Sequence, residues 1–257
     1  MGPVIVLVAI FLLILGVVFY KKQKKKITFP SNYRTLLQQH VAFYRSLTPK
    51  NKKRFEEKIS DFFNYVRIEG VNTEVNDLDK LLVGSSAIIP IFGFEKWTYY
   101  NLNNVLLYPN TFNKDEFLAG GYEKNTLGMV GNGPMQRMMI LSKQALHAGF
   151  ENEGYKENTG IHEFVHLLDK EDGDVDGLPE VLLNKKYNVQ WLELVNDSTH
   201  EIMEGRSDIN SYGASNKAEF FAVASEYFFN NPTLFKTHHP ALYELMAKMF
   251  NQRPGEN

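Results

Sequence analysis

The chain has 257 residues, with 28 lysines and arginines against 30 aspartates and glutamates, a net charge of −2 and no cysteine. This length allows one catalytic domain with a sizeable core or two small domains, and the near-neutral charge gives no reason to expect nucleic acid as a partner. Because cysteine is absent, disulfide bonds and thiolate metal ligands are excluded, and any zinc site must use histidine and carboxylate.

The N-terminal segment differs sharply from the rest of the chain. Val4 to Tyr20 is an apolar run, and a cluster of lysines follows it between Lys21 and Lys26. As a helix the run would be about 25–28 Å long, enough for a slightly thin bilayer. A cleaved signal peptide would carry its basic residues before the apolar run, so an unusual export signal is the less favoured alternative.

These features predict three parts. We expect a transmembrane helix at residues 3–20, a basic juxtamembrane linker at residues 21–31 and a catalytic domain at residues 32–252. The positive-inside rule places the lysines on the cytoplasmic side. The prediction is therefore a single-pass membrane protein whose catalytic domain is cytoplasmic.

The first part of the domain has helical patterning. It covers residues 33–69, and Thr48-Pro49 is typical of a helix start. A further helix is predicted at about residues 76–83. Residues 85–92 are small and β-branched and indicate a mixed helix-to-loop segment.

Short strands are predicted next. Candidates are Ile68 to Val71, Val105 to Tyr108 before Pro109, and Met138 to Ser142. The glycine-rich interval at residues 117–133 is expected to be irregular. A small mixed sheet set against helices is an α+β arrangement.

His162-Glu163-Phe164-Val165-His166 has the HExxH spacing of a zinc hydrolase. Residues four apart share a helical face, so both imidazoles can reach one metal ion, and Glu163 lies close enough to act on a metal-bound water. The flanking residues Ile161, Leu167 and Leu168 are apolar, as are Phe164 and Val165. Two histidines and a glutamate in a buried apolar helix are costly unless something satisfies them, and a zinc ion would do so.

The segment after the motif resembles the start of a calcium loop. In Asp172-Gly-Asp174-Val-Asp176-Gly177, the twelfth position, where an EF-hand needs a bidentate glutamate, is Leu183. We therefore expect an exposed turn that closes the motif helix. Asp169, on the same helical face as His162, is either an outer partner of the metal site or a helix-end residue.

The remaining histidine motifs are weaker. His200-Glu201 starts a second match to the motif, but the fifth residue is Glu204, which favours an exposed acidic turn. His238 and His239 stand at a helix boundary without a partner at ligand spacing.

A third zinc ligand is expected because catalytic zinc usually takes three protein ligands and leaves a position for water. The apolar helix around residues 218–229 carries two carboxylates, Glu219 and Glu226, seven residues apart on one face. Buried carboxylates need partners, and zinc supplies one. Alternatively, both glutamates point outwards from a half-buried helix, which the flanking aromatics disfavour more strongly for Glu219 than for Glu226.

Several segments together resemble the Mlc titration factor A-like zinc peptidases. They are HEFVHLLD with EDGDVDGLP, then Ser211-Tyr212-Gly213-Ala214 and Ala218-Glu219-Phe220-Phe221-Ala222-Val223. The resemblance runs from about Tyr33 to Gln252. It implies a zincin-like fold, related to the catalytic domain of anthrax lethal factor.

The resemblance also implies roles for individual residues. His162, His166 and Glu219 would bind one zinc ion per chain, with Glu163 as catalytic base. The family's active-site tyrosine corresponds to Tyr212, whose phenol could donate to the oxyanion of a tetrahedral intermediate. The alternative is a packing tyrosine in a turn.

These residues predict a zinc metallopeptidase, with endopeptidase and aminopeptidase activity both open, acting on peptide or protein substrates at the cytoplasmic membrane face. An extended peptide is expected to add to the strand Met138 to Ser142. One alternative is a regulatory protein that binds and sequesters a transcriptional repressor, as the family's name-giving activity implies. Another is a metal hydrolase acting on other amides or esters.

Overall fold

The computed structural model describes residues 29–110, 112–113, 125–126, 128–130, 137–151 and 154–256. Its α-helices are α1 (Tyr33–His40), α2 (Ala42–Ser46), α3 (Pro49–Phe62), α4 (Asp77–Ile91), α5 (Lys143–Glu151), α6 (Thr159–Asp169), α7 (Asn188–Met203), α8 (Lys217–Asn230), α9 (Pro232–His238) and α10 (Pro240–Met249). Its strands are β1 (Arg67–Gly70), β2 (Asn104–Tyr108), β3 (Phe112–Asn113), β4 (Asn125–Thr126), β5 (Gly128–Val130) and β6 (Met138–Ser142). Short 3-10 helices lie at Lys170–Asp172, Lys185–Tyr187 and Ser211–Ala214.

Side-chain caps explain where the first long helices begin. The Thr48 side chain accepts a hydrogen bond from a backbone N–H of the first turn of α3, and Pro49 is the first helical residue. Asn76 starts α4 with a capping box, in which its side chain accepts from the Asp79 N–H at 2.9 Å and the Asp79 carboxylate accepts from the Asn76 N–H at 2.8 Å. The predicted helix starts at Thr48-Pro49 and near Asn76 are confirmed.

Helix α4 is longer than predicted. The mixed helix-to-loop segment expected at residues 85–92 is helical as far as Ile91. Residues 81–91 are buried at every position, and Gln252 donates a hydrogen bond to the carbonyl of Ile89 in the last turn at 2.9 Å. Tertiary burial and this distant cap extend the helix through residues of modest helix propensity.

The main sheet has the strand order β1-β2-β6-β5. β1, β2 and β6 are parallel, and β5 is antiparallel to β6. The predicted strands at Val105–Tyr108 and Met138–Ser142 are confirmed as β2 and β6. A helix-rich chain with a small, mostly parallel sheet fits the predicted zincin-like peptidase domain.

Strand β6 lies inside this sheet, which corrects the predicted site of peptide addition. Its backbone already pairs with β2 on one side and with β5 on the other, so it offers no free ladder for an extended substrate. The last strand of the described sheet is β5. It falls in the interval at residues 117–133 that was expected to be irregular, most of which lies outside the described residues.

Helix α6 runs through the protein interior and positions the site. Phe164 on this helix contacts Tyr99 and Phe62, with ring centroids 5.2 Å and 5.8 Å away. Near the start of α6, a Cβ on Gly160 would collide with the Ser86 side chain of α4, so glycine permits the close approach of these two helices. Because α6 is buried almost throughout, its polar side chains lie inside the protein.

The predicted localisation, a single-pass membrane protein with a cytoplasmic catalytic domain, is contradicted. Within the described residues, no helix is both long and apolar enough to cross a bilayer. The expected anchor at residues 3–20 lies outside the described residues, as do residues 21–28 of the expected linker.

Candidate metal centre

Asn158 sets the start of the HExxH helix. Its side-chain oxygen accepts a hydrogen bond from the Ile161 N–H at 3.0 Å, which caps α6. Its side-chain NH2 donates to the Gly149 carbonyl at 3.0 Å, and the residue is fully buried. This cap fixes α6 so that His162 and His166, one turn apart, face the same space.

Three donor atoms converge at that space. Nε2 of His162 lies 3.1 Å from Nε2 of His166 and 3.0 Å from Oε2 of Glu219, and Nε2 of His166 lies 3.5 Å from the same carboxylate oxygen. Zinc bonds of roughly 2.0–2.2 Å in tetrahedral geometry would separate such ligand atoms by about 3.3 Å. The three side chains therefore have the spacing and the chemistry of a metal site, and they form a group that could hold an ion.

Glu219 reaches this point from the first turn of α8. The Asn216 side chain caps that helix by accepting a hydrogen bond from the Glu219 N–H at 3.0 Å. Although burial raises the pKa of Glu219, hydrogen bonds with His162 and His166 lower it well below its usual range. The carboxylate is therefore ionised at neutral pH, as a metal ligand must be.

Glu226, two turns further along α8, faces the other nitrogen of His162. Its Oε1 lies 2.6 Å from His162 Nδ1, and its Oε2 accepts a hydrogen bond from the Asn158 N–H. The alternative of an outward-facing Glu226 is wrong, since the residue is buried. A carboxylate on Nδ1 orients the imidazole and leaves Nε2 to face a metal. Burial alone would lower the pKa of His162, but Glu226 and Glu219 raise it well above its usual value.

Glu163 is buried beside the three converging donor atoms and contributes none of them. Its residue surface is 5% exposed, and burial raises the pKa of its carboxyl group. Strand β5 passes directly over it, because a Cβ on Gly128 would lie 2.5 Å from Glu163 Oε1. Only glycine allows the backbone to pass so close to this carboxylate.

Tyr212 lies at the rim of the site, on the 3-10 helix Ser211–Ala214. Its ring centroid is 6.1 Å from that of His162, and the residue is 52% exposed. Burial and the neighbouring carboxylate of Glu219 raise the pKa of Tyr212 to about 12, so the phenol keeps its proton at neutral pH. The structure thus brings together every residue that the sequence predicted for the site.

Comparison with known proteins identifies the family. A model of the glucose-regulated metallopeptidase M90 family matches residues 18–251. The chain belongs to this family. The predicted resemblance to the Mlc titration factor A-like family is confirmed as well, since proteins of that name are among the relatives of this chain.

Individual relatives match most of the chain. An uncharacterised protein of Synechocystis is 25% identical over 91% of this chain and 88% of its own length. Mlc titration factor A of Serratia proteamaculans is 30% identical over 59% of this chain and 61% of its own length. The protein of that name from Escherichia fergusonii is 26% identical over 83% and 84%. M90 membership and the names of these relatives support a metallopeptidase-like or regulatory role. The His162–His166–Glu219 group suggests a metal ion.

The other sequence motifs of this M90 member lie outside the converging group. Asp169 is the last residue of α6, where burial raises its pKa to about 6, and it accepts a hydrogen bond from the Gly177 N–H at 2.9 Å. Its charge also interacts with that of His166. The segment from Asp172 to Asp176 forms an exposed turn, as predicted. His200 is exposed but helical, within α7, so the predicted turn is wrong there.

Sequence reasoning missed two residues of the site. Asn158 could have been found from its position before an apolar helix, where asparagine is a preferred cap. Gly128 has no local signal, because its contact with Glu163 depends on the packing of β5 over α6.

Proposed function

We propose that this chain is a zinc-dependent peptidase in which His162, His166 and Glu219 hold one zinc ion and Glu163 is the general base. The convergence of three donor atoms beside a buried carboxylate carries the proposal. Two histidines and one glutamate are a known ligand set of catalytic zinc. M90 membership supports the reaction class.

Each group of the site has a separate role in the proposed reaction. A zinc ion held here would polarise the scissile carbonyl and make a water molecule more acidic. Glu163 accepts the proton of the attacking water and passes it to the leaving amine. Its burial favours the neutral form that makes the second transfer. Tyr212, still protonated at neutral pH, donates a hydrogen bond to the developing oxyanion.

We propose that an extended substrate pairs with β5. This strand ends the described sheet and crosses directly above Glu163 at Gly128. Main-chain hydrogen bonds to a strand edge bind a peptide with little dependence on its sequence. A peptide held there would lie across the catalytic carboxylate.

Metal content tests the ligand assignment. After dialysis, mass spectrometry should find one zinc ion per wild-type chain and none in Glu219→Ala. Glu226→Gln is the matched control from the same helix, and we expect it to keep zinc with affinity weaker by about 10–100-fold, because it orients His162 and does not bind the ion. Unchanged zinc in Glu219→Ala would refute the ligand set.

A peptide-library digest tests the reaction. Wild-type protein should cleave peptides, chelator should stop cleavage and added zinc should restore it. Libraries with free and acetylated N-termini separate aminopeptidase from endopeptidase activity. Cleavage that continues at full rate in metal-free protein would contradict the proposal.

The names of the relatives favour a second candidate function, which is binding of a repressor. Several are called Mlc titration factor A, which suggests a protein partner of the Mlc type. Calorimetric titration of purified Mlc-type repressor with wild-type chain and with Glu163→Gln would test this candidate. Equal binding by both would make sequestration independent of hydrolysis, and no binding by either would remove it.

A further inference from the structure

Asp208 is the centre of a polar cluster that shares no side chain with the metal centre. Its carboxylate accepts hydrogen bonds from Lys156 Nζ at 2.6 Å and from Tyr227 OH at 2.7 Å. It also lies 2.8 Å from His238 Nδ1 and 2.7 Å from His239 Nε2. The two histidines that had no partner by sequence spacing therefore share one. Although burial raises the pKa of Asp208, these contacts lower it well below its usual range.

Two of the partners of Asp208, Lys156 and Tyr227, belong to segments that build the site. Lys156 comes just before Asn158, the cap of α6, and its Nζ also donates to the Asp208 backbone carbonyl at 2.8 Å. Tyr227 follows Glu226, the partner of His162, on α8. Asp208 thus joins the chain that enters the HExxH helix to the helix that carries Glu219.

The segment that follows Asp208 leads to the catalytic tyrosine. Asn210 donates from its side-chain nitrogen to Glu157 Oε1 at 2.5 Å, and its side-chain oxygen accepts from the Tyr212 N–H at 2.9 Å. Ile209, which lies between Asp208 and Asn210 in the chain, is buried. Residues 208–210 are therefore fastened to residues 156–157 at two points, directly before the 3-10 helix that carries Tyr212.

We propose that Asp208 is a positioning residue for Tyr212, which it holds at the metal centre by fastening residues 208–210 to Lys156 and Tyr227. The inference rests on the proposed peptidase mechanism, in which Tyr212 stabilises the oxyanion. Tyr212 itself is half exposed, and its side chain contacts the site only through Glu219 and the ring of His162 among the described contacts, so the placement of its backbone matters for its position. The anchored segment before it supplies the order that an oxyanion donor needs.

A double-mutant cycle separates positioning from a general structural role. Asp208→Asn should lower kcat by about 10-fold with little change in KM, since the loss falls on the transition state. In a Tyr212→Phe background the same substitution should have no further effect. Equal factors in both backgrounds would overturn the proposal.

Glu56→Gln is the matched control. Glu56 is another carboxylate with several partners, accepting from Tyr33, Arg34 and Tyr44, but none of these residues belongs to the site. This variant should keep the wild-type kcat. If it lost as much activity as Asp208→Asn, any damaged polar cluster would explain the result and the proposal would fail.

Hydrogen exchange provides a readout that does not depend on hydrolysis or on metal. Backbone amides in residues 207–215 should exchange at least about 10-fold faster in Asp208→Asn than in the wild type, while α6 amides stay unchanged. Unchanged exchange in residues 207–215 would refute the positioning role even if the protein proved to be no peptidase. Lys156→Gln removes the other half of the contact and serves as the test if Asp208→Asn does not fold.

Discussion

Two buried carboxylates, Asp79 and Glu163, have opposite surroundings. Asp79 accepts a hydrogen bond from the Asn76 N–H and lies 2.6 Å from His147 Nε2 and 2.8 Å from Lys143 Nζ. Burial raises its pKa, but these partners lower it below the usual value. For Glu163, no described residue donates a hydrogen bond, and burial raises its pKa.

The difference separates a structural carboxylate from a reactive one. The partners of Asp79 join α4 to α5 and occupy both of its carboxylate oxygens. Glu163 is buried without a hydrogen-bond donor among the described residues, which costs folding free energy and favours a group able to take up a proton. Replacing each acid by its amide should therefore have opposite consequences.

The largest effect is expected for Glu163→Gln. Peptide hydrolysis should fall by about 10³–10⁴-fold, because the amide cannot accept the proton of the attacking water. Zinc content should be unchanged, and urea unfolding with chelator present should show no loss of stability. Cleavage at the parent rate would disprove the assigned mechanism.

Asp79→Asn should lower stability and leave activity unchanged, the reverse of Glu163→Gln. We expect a loss of about 2–3 kcal/mol in the free energy of unfolding at pH 7, because Lys143 and His147 lose a charged partner, and unchanged kcat for the folded enzyme. The folded-state pKa of Asp79 is lowered, so this stabilisation is complete above the unfolded pKa of about 3.9 and is lost as the pH falls through the folded value. Urea titrations of both proteins should therefore show a constant difference from pH 7 to about pH 4 and a shrinking difference below about pH 3.9. A difference that does not shrink in acid would contradict the assignment.

Gly128→Ala should have the smallest effect. The new Cβ would stand 2.5 Å from Glu163 Oε1, so the carboxylate must move, and we expect kcat to fall by about 10-fold with zinc retained. In a Glu163→Gln background the substitution should change nothing further. An independent loss there would show that Gly128 acts through the strand and not through the carboxylate.

The sequence was most informative where a local pattern determines the structure. An apolar helix around His162 and His166 follows from contiguous residues, and Met138–Ser142 from a short apolar run. Glu219 could be proposed because a carboxylate among aromatics needs a partner. The confirmed family resemblance then linked Tyr212 to the same site.

The remaining features depend on contacts between distant parts of the chain. Helical spacing puts Glu226 on the face of Glu219, but only the packing of α8 on α6 shows that it meets the opposite ring nitrogen of His162. Asp208 meets Lys156 from 52 positions away and His238 from 30. No local sequence pattern predicts contacts between residues so far apart in the chain. The interior position of β6 likewise required its pairing with β5.

The two glutamates of α8 hold one imidazole ring from both sides. They are seven residues apart, about 10.5 Å along the helix axis, yet Glu219 meets Nε2 of His162 and Glu226 meets Nδ1. Sliding α8 by a single residue, about 1.5 Å, would disturb both contacts together, and no rotation of the ring could restore both. The ring therefore couples the positions of α6 and α8, and we expect the two helices to move together. Opening or closing around a substrate is then expected in other parts of the protein.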